Sequence, residues 1–216
     1  VRPTVVTTVP RLFERIYNRL MKQVSSASPI RQRMFHWAID IGRQYVDEKK
    51  SGQSSLLLSM KYVLAKKLVF KKILDRTGGR IRFFVSGGAA LSKELAGFFE
   101  VVGIQIIEGY GMTESSPVIS VNRVDEYKFG TVGRPIPGIE VTIAEDGEIL
   151  TRGPHVMKGY WNNTEATREA IDKDGWLHTG DIGQFDADGF LAITDRKKHI
   201  FVSSGGKNIA PQHIES

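Results

Sequence analysis

The sequence predicts an α/β fold. Part of a doubly wound, mainly parallel sheet with helices is followed by a small antiparallel β-barrel-like subdomain and then by the start of a small α+β C-terminal domain. Three observations carry this. The apolar run Ile81 to Val85 enters the turn Ser86-Gly87-Gly88, then a helical stretch Ser92 to Val102, then a second apolar run Ile104 to Ile107. Such βα units build mainly parallel sheets that bind ligands at the strand C-terminal ends. From about Phe129 the pattern changes to short alternating segments separated by turn signals, as in a small antiparallel sheet or barrel. A length of 216 residues is enough for one or two domains with a substantial core.

Taken in order, Val5 to Thr8 reads as a short buried strand closed by Pro10, a residue suited to the first turn of a helix. Leu12, Phe13, Ile16, Tyr17, Leu20, Met21 and Val24 then recur at helical spacing as a packing stripe. Ser25 to Pro29 breaks that helix. A second pattern runs through Met34, Phe35, Ala38, Ile39 and Tyr45, and a third through Leu57, Met60, Leu64, Leu68 and Leu74; Lys49 to Ser55 between them is a polar, exposed loop. Ser92 is the N-cap expected for the helix that follows it. Asp146-Gly147 is a hairpin signal, and Thr164 to Ile171 reads as a short helix capped by Thr164.

Composition is that of a soluble globular protein, and the absence of cysteine excludes disulfides and thiolate metal sites. No signal peptide is expected ahead of Val1, and no apolar stretch of the sequence approaches the roughly 18 residues that span a bilayer. The chain starts in mid-pattern and stops as a new unit begins, so it reads as a piece of something longer. Charge is uneven: residues 1–80 hold 17 Lys/Arg against 5 Asp/Glu, and residues 81–216 hold 13 against 19. A basic first third suits an anionic membrane surface, the phosphates of coenzyme A, or simply the solvated faces of helices. No aromatic-interleaved basic motif or zinc finger supports nucleic acid.

The chemistry centres on EGYGMTES, Glu108 to Ser115. Gly109 and Gly111 let the backbone turn and approach a ligand, Tyr110 offers a flat face for a base, Thr113 a donor for a phosphate oxygen, and Glu114 a hard oxygen for Mg²⁺. A strand-end turn with one exposed acid is the plainer reading. The glycine turns Gly87 to Ala89 and Gly109 to Gly111 would both face one crevice. Asp181, after Gly180 at a tight turn, has two carboxylate oxygens that match a ribose diol. SSGGKN, Ser203 to Asn208, is no phosphate loop, because Phe201 stands where that motif needs Gly and Asn208 where it needs Ser or Thr. His36, His155, His178, His199 and His213 lack metal-site spacing, and no serine sits in G-x-S-x-G.

VSGGAALSKE, EGYGMTES, TVGRPIPG, GEILTRGPHVMKGYWNN, GWLHTGDIGQFDADGFL and DRKKHIFVSSGGKNIAP follow one another in order from about Arg80 to the last residue. Together they resemble the adenylate-forming superfamily of acyl-CoA synthetases, luciferases and adenylation domains. Upstream, RPTVVTTVPRLFERIY, Arg2 to Tyr17, is similar to its long-chain fatty acid CoA ligase branch. The resemblance implies that residues 1–128 are the second half of a large nucleotide- and acyl-binding domain, residues 129–194 its β-rich subdomain, and residues 195–216 the hinge and beginning of a C-terminal domain. By the same resemblance Glu114 would hold Mg²⁺ and Thr113 a phosphate. Tyr110, with the backbone of Gly87, Gly88 and Ala89, would hold the adenine, Asp181 and Arg196 would orient the ribose, and Glu108, Gly109 and Gly111 would complete the nucleotide-binding residues. Lys198 would be the hinge, with Gly205 and Gly206 beside the CoA channel. The implied reaction joins a fatty acid to CoA with ATP turned to AMP, in the cytoplasm or peripheral to the inner face of a membrane. The phosphate-loop lysine and a distal catalytic lysine are expected outside Val1 to Ser216, leaving the fragment inactive alone. Another adenylate-forming ligase, or a nucleotide-binding module without turnover, is the alternative.

Overall fold

The computed structural model describes residues 2–53, 55–197, 201–202 and 208–209. The chain divides into two units, Val1–Ile107 and Glu108–Ser216. The fold is mixed α/β, with a parallel ladder among helices in the first unit and an antiparallel four-stranded sheet in the second.

In the first unit, β1 (Val5–Thr8) pairs in parallel with β2 (Phe83–Ser86), Val5 opposite Phe83. The expected burial of β1 holds for one face only: Val5 and Thr7 are exposed, while Val6 and Thr8, on the opposite face of the strand, are half-buried. Pro10 occupies the first turn of α1 (Pro10–Ser25), where its missing N–H costs no helical hydrogen bond. Phe13 is fully buried and meets the rings of Phe84 and Phe99 edge-on, at 5.4 and 5.5 Å between centroids. Pro29 starts α2 (Pro29–Lys50), which buries Phe35, Ala38, Ile39, Ile41 and Gly42. A Cβ on Gly42 would lie 2.5 Å from Val101 Cγ1, so only glycine lets α2 come this close to α5 (Lys93–Val102). Ser92 caps α5 as expected, its hydroxyl accepting from Leu95 N at 3.2 Å.

The third helix is present, but its packing face is the opposite of the stripe read from the sequence. α3 (Leu56–Ala65) continues through a π turn, Lys66–Phe70, into α4 (Lys71–Arg76). Leu58, Ala65, Phe70 and Ile73 are buried, while Leu57, Met60, Leu64 and Leu68 face outward. Apolar residues occupy both sides of α3, so spacing alone cannot choose between them. Tyr62 decides: its ring stacks on Tyr45 of α2 at 4.1 Å, and its hydroxyl donates to the Val101 carbonyl at 3.3 Å.

β3 (Gln105–Tyr110) leads into the second unit. There Gly109 and Tyr110 pair antiparallel with β4 (Ser120–Val121), which pairs with β5 (Arg134–Pro135). The four-stranded sheet then runs β6 (Glu140–Ile143), β7 (Glu148–Arg152), β8 (Leu177–Phe185), β9 (Leu191–Arg196), each strand antiparallel to the next. Asp146-Gly147 makes the β6–β7 turn, Gly147 adopting a φ of +87°. α6 (Thr164–Ala170) is capped by Asn163 rather than Thr164: the Asn163 carboxamide oxygen accepts from Ala166 N at 3.0 Å. Asn163, one residue upstream and not yet helical, holds the N-cap position from which a side-chain oxygen reaches the orphan N–H, whereas Thr164 is already helical. Tyr110, Ile119, Ile149 and Leu191 form the core. Further on, β10 (Phe201–Val202) pairs antiparallel with β11 (Asn208–Ile209).

Candidate functional site

Asp181 and Arg196 face each other across the β8–β9 ladder, and register alone brings them together. Arg196 Nε donates to Asp181 Oδ1 at 2.9 Å, and the Tyr110 hydroxyl donates to Oδ2 at 2.8 Å. Asp181 N donates to Thr179 Oγ1 at 3.2 Å, while the Thr179 hydroxyl donates to the Ile149 carbonyl at 2.7 Å. Asp181 is thus only 6 % exposed, yet held at both oxygens. It lies within a strand, not at the tight turn expected; the departure from regular backbone is at Gly180, whose φ is +71°. An ionised carboxylate has about four acceptor positions, so each oxygen retains one for a further donor. The Arg196 side chain is largely exposed, leaving the ends of its guanidinium to face solvent. Burial pushes the Tyr110 phenol far above its usual range; the Asp181 charge adds to this, and the Thr179 hydroxyl offsets part of it.

The two glycines around Tyr110 differ. Gly109 is ordinary strand, and a Cβ there would meet nothing nearer than 3.5 Å. At Gly111 a Cβ would stand 1.7 Å from the Pro117 carbonyl oxygen, so the close approach expected towards a ligand is taken up by the chain itself. Tyr110 sits in the core with its hydroxyl on Asp181. Glu108 is buried, its carbonyl accepting from Asn122 N at 2.8 Å. Thr113–Ser115 is a single 3₁₀ turn, fixed by the buried Ser115 hydroxyl, which accepts from Met112 N at 3.0 Å. Thr113 on that turn is exposed. Glu114 is half-buried rather than freely exposed: its Oε1 accepts from the Tyr160 hydroxyl at 2.8 Å, and its carbonyl from Met157 N at 2.8 Å. These two bonds tie EGYGMTES to MKGYWNN.

One carboxylate suits Mg²⁺, which keeps several waters and takes one or two carboxylates together with phosphate oxygens. Among the described residues no group of three or more His, Cys, Asp or Glu side chains could cage a metal. Gly87, Gly88 and Ala89 belong to the first unit, where Gly87 N donates to the Thr8 carbonyl at 3.1 Å and Gly88 has a φ of +80°. Lys198, Gly205 and Gly206 lie outside the described residues.

Sequence reasoning missed a second carboxylate. Glu148, buried at the start of β7, accepts from Gly180 N at 2.8 Å and from Lys197 Nζ at 2.8 Å, and lies 3.1 Å from His178 Nδ1. Lys197 also pairs with Asp146 at 2.6 Å. Burial works to raise the Glu148 carboxyl, but Lys197, His178 and the Gly180 amide together outweigh it and hold it below its ordinary range. Glu148 therefore joins the residue before Asp181 to the residue after Arg196. No spacing rule signals this, since Lys197 is 49 positions away.

The AMP-binding enzyme family model matches residues 1–161. The chain is 44% identical over 214 residues to the long-chain-fatty-acid–CoA ligase FadD15 of Mycobacterium bovis, covering 99% of this chain and 35% of that protein. It is 40% identical over 230 residues to the peroxisomal long chain acyl-CoA synthetase 6 of Arabidopsis thaliana, covering 100% of this chain and 32% of that one. Among solved structures, O-succinylbenzoate coenzyme A synthetase of Bacillus subtilis in complex with ATP and magnesium ion matches with a TM-score of 0.59 and 32% identity, over 68% of this chain and 33% of that one. The chain thus spans about a third of the length of these relatives.

Proposed function

The chain belongs to the AMP-binding enzyme family, and from that premise we propose that it is part of an ATP-dependent, AMP-forming long-chain fatty acid–CoA ligase. The fatty carboxylate attacks the α-phosphorus of ATP and pyrophosphate leaves, giving an acyl-adenylate. The CoA sulfur then attacks the acyl carbonyl, AMP leaves, and the thiol proton is released to solvent. The observation that carries this reading is Asp181, a buried carboxylate fixed at both oxygens by Tyr110 and Arg196 with one acceptor position left on each. Such a group suits the two neighbouring hydroxyls of a ribose better than a lone cation. Names of relatives at 40–44% identity support the long-chain acid as substrate.

In this reading Tyr110 serves as the donor that orients Asp181 and contacts adenine, and Gly87, Gly88 and Ala89 contact adenine through their backbone. Arg196 adds donors to the ribose. Thr113 binds phosphate and Glu114 holds Mg²⁺, which when bound would neutralise charge on the phosphate oxygens. Catalysis of the first step is then positioning and charge stabilisation. Residues 1–128 and 129–194 belong to the large domain, and residues 195–216 open the C-terminal domain.

The test is ATP–pyrophosphate exchange on the full-length protein with a panel of carboxylic acids. Exchange that rises with long-chain fatty acids supports the reading. Exchange only with an aryl, short-chain or amino acid moves the protein to another ligase of the family. No exchange with any acid, with ATP still bound, leaves a nucleotide-binding module.

A further inference from the structure

Asp181 sits where the β7–β8 ladder is irregular. Between the paired positions Glu148–Ile182 and Leu150–His178, β7 holds Ile149 alone while β8 holds Thr179, Gly180 and Asp181. Residues of β8 are thus in excess, and a bulge of this kind re-aims the side chains it carries. The Gly180 N–H falls in the bulge and donates to Glu148 Oε1 at 2.8 Å. The other oxygen, Oε2, accepts from Lys197 Nζ at 2.8 Å, and Lys197 directly follows Arg196. Glu148 is buried, so both bonds are made away from water, where a charge-assisted bond is strong. Lys197 also meets Asp146 at 2.6 Å. Its ammonium is therefore committed to two carboxylates.

We propose that Glu148 and Lys197 are positioning residues of the nucleotide site, their ion pair fixing the directions of Asp181 and Arg196 so that the protein distinguishes a ribonucleotide from its deoxy counterparts. The proposal rests on the ribose reading of Asp181 and Arg196. These two residues are opposite each other at the end of the β8–β9 ladder, whose register shifts just beyond them, between Ile182 and Gly183. Neither neighbouring ladder is regular at Asp181, so strand pairing alone does not fix where the pair points. A side-chain acceptor from β7 holds the residue before Asp181, and the same carboxylate holds the residue after Arg196. Hydrogen bonds weaken steeply when misaligned. Loosening this clasp therefore removes recognition of the ribose hydroxyls first, while contacts to base and phosphates stay. An ion pair that only stabilised the fold would leave the hydroxyl preference untouched.

The experiment compares ATP, 2′-deoxyATP and 3′-deoxyATP in pyrophosphate exchange by the full-length protein at saturating fatty acid. Equilibrium binding of AMP and its two deoxy forms gives the same ratios without turnover. Each missing hydroxyl removes a hydrogen bond to a charged group, so the wild type should prefer the ribonucleotide by about tenfold or more. Lys197→Met and Glu148→Gln should each cut that preference by about threefold or more, through a higher KM for ATP at nearly unchanged kcat. Glu148→Gln keeps an amide oxygen for the Gly180 N–H and loses only the charge that holds Lys197. The double variant should be no worse than either single one, since both sever the same bond. The Lys197 side chain is half-exposed, so Lys197→Met keeps the fold even where a change at buried Glu148 does not; circular dichroism checks both. A preference kept at the wild-type value in Lys197→Met overturns the proposal, whatever happens to kcat or stability, and leaves the pair as structural support. A wild type that does not distinguish the nucleotides overturns the ribose reading itself, and this proposal with it.

Discussion

The Tyr110 hydroxyl donates to Asp181 Oδ2 at 2.8 Å across 71 positions of chain, inside a site where Asp181 is almost closed to solvent. Tyr110→Phe keeps the ring in the core and removes only this donor. A buried acceptor left with one partner fewer costs about 1–3 kcal/mol. We expect a loss of that size in denaturant unfolding and a higher KM for ATP, because Asp181 loses one of its two restraints. Pyrophosphate exchange at unchanged KM would separate Tyr110 from the ribose site.

The same phenol sets a pH dependence. Its native pKa is raised above the ordinary 10.0, chiefly by burial. Its contribution is therefore complete below pH 10 and is lost as pH rises towards the native value, since the unfolded state ionises first. Wild-type stability should fall above pH 10 and converge on that of Tyr110→Phe, whose profile lacks this component. Parallel alkaline profiles would show that another group dominates.

Gly111→Ala tests the close packing of the loop. Its new Cβ would lie 1.7 Å from the Pro117 carbonyl oxygen, so backbone must move, whereas Gly109→Ala meets nothing nearer than 3.5 Å. We expect Gly111→Ala to cost about 2–4 kcal/mol and Gly109→Ala about 1 kcal/mol or less, measured by denaturant unfolding. Equal effects at the two positions would contradict the packing.

What was legible in the sequence was local. Pro10 and Ser92 start their helices because each acts on its own first turn, Ser25 to Pro29 breaks the first helix, and Asp146-Gly147 makes its hairpin for the same local reason. What was not legible depends on partners far along the chain. Leu57, Met60, Leu64 and Leu68 have helical spacing, but Tyr45 decides which side of α3 packs. Neither composition nor spacing pairs Tyr110 with Asp181, or Glu148 with Lys197. The ordered motifs did single out Asp181 and Arg196, through resemblance; their shared register became visible only in the β8–β9 ladder.

Glu148 should fasten the end of β9 in a pH-dependent way. Its carboxyl is held below the ordinary 4.5, so the stability it contributes is present above that value and is lost as pH falls through the lower native one. We expect the Gly180 amide, which it accepts at 2.8 Å, to stay protected from hydrogen exchange to below pH 4.5. Glu148→Ala should expose that amide at neutral pH and free Lys197. Full protection of Gly180 in the variant would remove Glu148 from this role.

Glu114 and Tyr160 separate charge from positioning. Glu114→Ala removes the proposed Mg²⁺ ligand, and we expect pyrophosphate exchange to fall by about a hundredfold or more. Folding should suffer by only about 0.5–1.5 kcal/mol, since the side chain gives up one hydrogen bond. Tyr160→Phe leaves the carboxylate in place and removes the donor 2.8 Å from its Oε1. If that donor holds Glu114 in its metal-binding orientation, the Mg²⁺ concentration for half-maximal exchange should rise severalfold while the rate at saturating Mg²⁺ stays near that of the wild type. Glu114→Ala should not recover at any Mg²⁺ concentration. Recovery of Glu114→Ala by added Mg²⁺ would mean that phosphate oxygens and water hold the ion, and that Glu114 serves only to fasten Tyr160 to the loop.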